Sequence, residues 1–284
     1  MKIIAVKLQG RLGNQLFQYA FAYAEAKRLN AKFYLDKSTE SYLLPLYFEV
    51  TDDLAALLDA SFLSLSMKRK CYRFFYRMLY SKKMTLVGNR TPVAGNYGLF
   101  KRHCFYEGYF QSVTYFNAVK DEIRSLFQVK TKYIKAFDKL NQQFDRSKKM
   151  AVIHIRRGDY VDFEMALPLS YYKKAISLIN DAGLQYVFVS DDPAFIEAEF
   201  DYLPDKYISV NPEIIDLQFL MNADICVLSC SSFSWWGAWL NTKENKQVYA
   251  PEYWLGFKDK QEYPVGIFEE FEMNLIQVNP SIPS

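Results

Sequence analysis

The 284-residue sequence predicts an α/β protein of two Rossmann-like domains with a ligand cleft between them. Three observations predict it. The chain opens strand–turn–helix–strand, a βαβ unit that implies a parallel sheet. A β/α alternation restarts after residue 150. The polar, basic segment 145–149 separates the two stretches, which sets the domains at 1–147 and 148–284. The length agrees with about two domains on a ~150-residue prior.

Residues 2–8 are apolar and β-branched, as a buried strand requires. Gly10 and Gly13 punctuate the turn, and Asn14 stands where a helix N-cap is wanted. Leu16, Phe17, Ala20, Tyr23, Ala24 and Lys27 trace one face of a helix over 15–29. Residues 31–35 read as a second strand ending at Asp36. The stretch 41–98 is irregular. A strand is expected at 107–111, with helices around 115–127 and 133–144. In the second half, strands are expected at 151–155, 185–189, 224–228 and 247–250. Helices are expected at 170–180, 193–200, 213–221 and 233–240.

Half of the residues are hydrophobic and 24% are charged, which excludes disordered and low-complexity chains. A net charge of +3 is too small to argue for nucleic acid. Aromatic residues make up 17%, a share that serves either a plentiful core or stacking on sugars and bases. Between Ala60 and Tyr106 there is no acidic residue, and Lys68, Arg69, Lys70, Arg73, Arg77, Lys82 and Lys83 crowd one segment. With Tyr72, Phe75, Tyr76 and Leu79 at helical spacing, Lys68 to Lys83 is read as a helix. It either touches an anionic membrane surface peripherally or docks on its own domain with a solvated basic face. Cys71, Cys104, Cys226 and Cys230 form no CxxC pair, and the histidines are His103 and His154, so neither a zinc site nor a disulfide framework is expected. No apolar stretch approaches the ~18 residues of a membrane span. The expected location is therefore the cytoplasm, with peripheral contact at the inner face of the membrane as the further option.

Three motifs carry chemistry. Gly10-Arg11-Leu12-Gly13-Asn14-Gln15 lies between a strand and a helix, where free N–H groups favour anions, but Leu8 breaks the dinucleotide fingerprint. His154-Ile155-Arg156-Arg157-Gly158-Asp159-Tyr160 follows a buried strand, at the end where open α/β sheets bind ligands. Arg156 and Arg157 there suit phosphate oxygens; the alternative is an Arg–Asp network with Asp159 that ties the loop. Ser229 to Leu240 combines a serine-rich turn, a phosphate cradle at a helix start, with three tryptophans expected to wall a cleft. Asp191 and Asp192 close a further strand. No Asp-x-Asp occurs in the chain, so leaving-group charge is expected to fall on arginines and helix N-termini, with no metal.

The motifs Gly10 to Ala20, His154 to Tyr160 and Ser231 to Trp239, in that order, resemble the bacterial α-1,2-fucosyltransferases of glycosyltransferase family 11. The resemblance implies a GT-B-like fold, GDP-β-L-fucose as donor, no metal or other cofactor, and inversion at the anomeric carbon. It implies that His154 and Asp191 recognise guanine, that Arg156 binds the β-phosphate with Arg157 and Asp159 beside it, and that Ser231, Ser232, Phe233 and Ser234 line the diphosphate and fucose pocket. Asn14 would reach the donor from the other domain. The expected reaction moves L-fucose to the 2-OH of a galactoside, an oligosaccharide or lipid-linked glycan, in surface-glycan synthesis. Another fucosyl linkage on the same fold, or a nucleotide-binding module without catalysis, stands as the alternative. For the base, Glu164 is the candidate: it lies ten residues beyond His154, beside Phe163 and Met165, whose apolar surface would raise its pKa. Asp162 is next, and the departing GDP itself could take the proton.

Overall fold

A computed structural model of the chain describes residues 3–37, 40–50, 82–85, 93–96, 104–179, 183–203, 205–269 and 271–279. It divides into two units, Met1–Lys130 with Pro264–Glu269, and Thr131–Tyr263 with Glu270–Ser284. The division falls before the polar segment 145–149. The reason is the helix α4 (Thr131–Asn141), which packs into the second unit: Phe137 meets Phe219 edge-on at 5.1 Å, and Gln218 Nε2 donates to Tyr133 O at 3.1 Å.

The first unit is built on β1 (Ile3–Lys7), α1 (Leu12–Arg28), β2 (Lys32–Asp36), α2 (Leu44–Tyr47), β3 (Lys82–Thr85), β4 (Val93–Asn96), β5 (Cys104–Glu107) and α3 (Lys120–Leu126). Its sheet runs β2-β1-β5-β3-β4, with β4 alone antiparallel among the described strands. The expected strand at 107–111 lies slightly earlier, at β5. Two 3₁₀ turns (Val113–Tyr115 and Asn117–Val119) precede α3, where one long helix is expected. Of the basic segment Lys68 to Lys83 read as a helix, 68–81 lie outside the described residues, and Lys82 and Lys83 belong to β3. The core under α1 is aromatic: Phe21 stacks on Phe110 at 3.9 Å, and Tyr19 meets Phe33 edge-on at 5.4 Å.

The second unit contains β6 (Lys149–Ile155), α5 (Gly158–Asp162), α6 (Leu169–Leu178), β7 (Leu184–Ser190), α7 (Pro193–Glu199), β8 (Tyr207–Ser209), α8 (Glu213–Met221), β9 (Ile225–Val227), α9 (Ser232–Leu240), β10 (Gln247–Pro251) and β11 (Asn274–Ile276). All of its strands are parallel, in the order β11-β10-β9-β6-β7-β8. This is the doubly wound order, and its direction of winding reverses between β6 and β9. A crevice opens outside the carboxyl ends of strands at such a reversal. The motifs at 154–160 and 229–234 leave these two strands. No described helix is long and apolar enough to cross a membrane.

The tryptophans are core rather than the wall of a cleft. Trp235, Trp236 and Trp239 are all buried and pack on one another at centroid distances of 5.2–6.0 Å. Gly237 stands among them because α9 presses on α8: a Cβ there would come within 2.4 Å of Leu220 Cβ. Gly237→Ala is expected to cost about 1–3 kcal/mol, the usual range for overpacking a core. A thermal melt should show a drop of several degrees, and an unchanged melt would mean that the two helices separate freely.

Candidate functional site

In the first unit, Gly10 adopts φ +75°, a conformation that suits glycine, and the turn brings the chain straight into α1. The helix consequently starts at Leu12 with Arg11 as its N-cap residue, so Asn14 sits inside the first turn instead of capping it. Its Oδ1 accepts from Gln111 Nε2 at 2.9 Å. The glutamines of the motif are structural. Gln15 donates to Gly10 O and Ser41 O and accepts from Leu43 N. Buried Gln18 donates to Gly108 O and accepts from Gln9 N. They satisfy loop backbone groups that would otherwise be buried without partners.

In the second unit, the site assembles around the end of β6. His154 is 6% exposed, and its Nδ1 is 2.7 Å from Ser229 Oγ across the reversal point. Burial, and then the Arg156 charge, push its pKa down to about 3, so it is a neutral hydrogen-bonding group at pH 7. Phe233 lies 5.5 Å away, ring to ring.

Of the two readings of the paired arginines, the structure shows the Arg–Asp network. Arg156 pairs with Asp191 at 2.6 Å through Nη1 and with Asp159 through Nη2. The guanidinium of Arg157 lies 3.7 Å over Phe195 and donates from Nε to Asp192 Oδ2 at 3.1 Å. Asp192 is the N-cap of α7, accepting from Phe195 N, so Arg157 is braced against that helix start. Asp191 Oδ1 accepts from the backbone N of Arg157 at 2.8 Å. Asp159, Asp191 and Asp192 thus each face an arginine.

Tyrosines tie down the serine turn. Tyr171 Oη donates to Leu228 O at 2.7 Å and Tyr160 Oη to Cys230 O at 3.2 Å; burial raises both phenol pKa values. Ser231 caps α9, its Oγ accepting from Phe233 N. Ser234 is fully buried and donates to Ser229 O and Ser231 O. Its hydroxyl braces the turn and does not line a pocket. Ser232 and Phe233 are partly exposed at the head of the helix, where N–H groups lack intrahelical partners. Cys226 and Cys230 are free and buried.

Glu164 departs from its expected setting. Its side chain is 82% exposed and lies 3.0 Å from Lys258 Nζ, while Phe163 beside it is 67% exposed. Among the described residues no apolar pocket encloses the carboxylate. The backbone of Glu164 takes φ +54°, uncommon for a residue with a Cβ, and is held by Glu164 N→Val161 O and Met165 N→Tyr160 O.

Sequence reasoning missed Asp216. Its Oδ1 bonds Ser209 Oγ, and burial pushes its pKa up to about 6. The register places it: His154 pairs with Val189, and Val189 with Ser209. Paired residues share a sheet face, and two strand spacings of roughly 4.8 Å separate His154 from Ser209. Ser209, with the Asp216 that it bonds, therefore stands on the sheet face of His154 and its partner Ser229, with Val189 between. An Asp on an amphipathic helix gives no sign of this without β8, whose three residues are too short to read.

The sequence profile of glycosyl transferase family 11 matches residues 1–262. The chain is 30% identical over 290 residues to the O-antigen biosynthesis glycosyltransferase WbnK of Escherichia coli, covering 89% of this chain and 95% of that protein. It is 31% identical over 277 residues to an α-1,2-colitosyltransferase of Escherichia coli, covering 90% and 93%. Its structure is similar to that of the NodZ α-1,6-fucosyltransferase soaked with GDP-fucose, with a TM-score of 0.51 at 13% identity over 84% of this chain and 92% of that one. The fold is GT-B-like. With the family's profile along most of its length, the chain belongs to glycosyl transferase family 11 and is a glycosyltransferase.

Proposed function

We propose that the chain transfers L-fucose from GDP-β-L-fucose to the 2-OH of a galactoside, with inversion and without a metal. The observation that carries the reading is the polar edge at the winding reversal, where Arg156 follows β6 and the serine turn that heads α9 follows the neighbouring strand β9. A guanidinium and helix N–H groups together stabilise a departing diphosphate. The acceptor oxygen attacks C1 from the face opposite the phosphate, the C1–O bond to GDP breaks, and the acceptor proton passes to a base. Glu164 is the proposed base and Asn14 a proposed donor contact. The acceptor belongs to surface-glycan synthesis.

Guanine presents an N–H and an amine side by side as donors, which ask for a carboxylate acceptor. Both oxygens of Asp191 are engaged. Asp216 uses Oδ1 towards Ser209, and Oδ2 carries no hydrogen bond among the described residues. We assign base recognition to neutral His154 with Asp216; Asp191, whose oxygens each keep a further lone pair, is the second candidate.

The test is a transfer assay with GDP-fucose and a panel of galactosides, with linkage analysis of the product. An α-1,2-fucosyl product, formed equally well in EDTA, is expected. A tenfold loss that manganese repairs overturns the metal-free mechanism, and an intact donor with every acceptor overturns the activity. The relative named as a colitosyltransferase favours a second donor, so a colitosyl nucleotide belongs in the same assay.

A further inference from the structure

Arg156 is held by two carboxylates, and they are not equivalent. Asp191, at the end of β7, is 26% exposed, and its Oδ2 lies 2.6 Å from Nη1. Its Oδ1 is anchored on the backbone N of Arg157. Gly158 stands against it, where a Cβ would approach Oδ2 to 2.5 Å. Asp191 cannot move without giving up a backbone hydrogen bond, and the chain keeps space free for it. Asp159, by contrast, is 48% exposed and reaches Nη2 from the first turn of α5.

An arriving phosphate has the same sign of charge as both carboxylates. We propose that Asp191 is a positioning residue that aims Arg156 at the donor's phosphate, and that Asp159 holds the guanidinium edge which the phosphate takes over and gives way to it. The inference rests on Arg156 as the phosphate ligand. A guanidinium carries five N–H donors in a fixed plane. One fixed carboxylate orients that plane while leaving donors for a bidentate phosphate contact.

The proposal sets the signs of two effects. On charge alone, neutralising either aspartate would tighten an anion. Positioning makes Asp191→Asn weaken it. The experiment is calorimetric titration of GDP into the full chain and its variants, with a melt of each. Asp191→Asn is expected to weaken GDP about tenfold or more, the range for a hydrogen bond to a charged group. Asp159→Asn is expected to tighten it about two- to fivefold, as for loss of an exposed ion pair.

Gly158→Ala pushes Asp191 aside and leaves Arg156 and both carboxylates in the chain. It is expected to weaken GDP like Asp191→Asn, and it carries the test should Asp191→Asn melt early. Tighter or unchanged GDP binding in both Asp191→Asn and Gly158→Ala overturns the positioning role, and weaker binding in Asp159→Asn overturns the exchange. Arg156→Ala separates the two levels: if it binds GDP like the wild type, the phosphate reading itself fails, whatever Asp191 does.

Discussion

Arg156→Lys lowers kcat/KM for GDP-fucose about 10²–10³-fold, the loss that follows removal of one preorganised transition-state donor. The arginine meets Asp191 through Nη1 and Asp159 through Nη2, so its plane is fixed by contacts at two separate nitrogens. Lysine has one nitrogen on a flexible stem and no plane to fix. Its three N–H donors share one point and rotate freely, so a phosphate then meets a point charge whose direction is not set. The charge is conserved and the geometry is not. The fold should survive, because β6 is buried on its own apolar residues, so the melt of the variant should match the wild type. Turnover within threefold of wild type would mark Arg156 as a strut of the Arg–Asp network and nothing more.

Glu164→Gln leaves GDP affinity unchanged and lowers turnover about 10²-fold, within the range for a general base. Glutamine keeps the shape and the unusual backbone of this position and removes only the charge and the proton acceptor. The carboxylate stands in solvent beside Lys258, so an acceptor sugar reaches it without rearrangement of the second unit. Product formation and GDP titration on the same preparation separate the two effects. If turnover stays near wild type, Asp162 is the next substitution.

The alternation of strands and helices after residue 150 was legible because parallel strands buried on both faces read as apolar runs. Asp145 to Lys149 misled the domain boundary because polarity marks exposure, and α4 joins the second unit through Phe137 on Phe219 and Gln218 on Tyr133 O, contacts that no local pattern reveals. The arginine motif could be placed at a strand end, but the partner of each arginine could not. Asp191 and Asp192 are adjacent in sequence, and only the start of α7 decides that one caps a helix while the other holds Arg156. The tryptophans signalled volume without saying which side of α9 it fills. Asp216 depended on a three-residue strand, and the short helix α5 was hidden in a stretch that reads as a loop.

The first unit is not one continuous piece of chain. It takes back Pro264–Glu269 after the whole second sheet except β11 has been laid down, and Thr114 Oγ1 donates to Glu269 Oε2 across that return at 2.7 Å. Chimeras that join the front half of one family member to the back half of another must therefore carry this hexapeptide with the front parent. A single crossover at residue 130 would graft a foreign segment onto the loop at Ser112 and Thr114. A double crossover that restores 264–269 keeps the native contacts inside each unit.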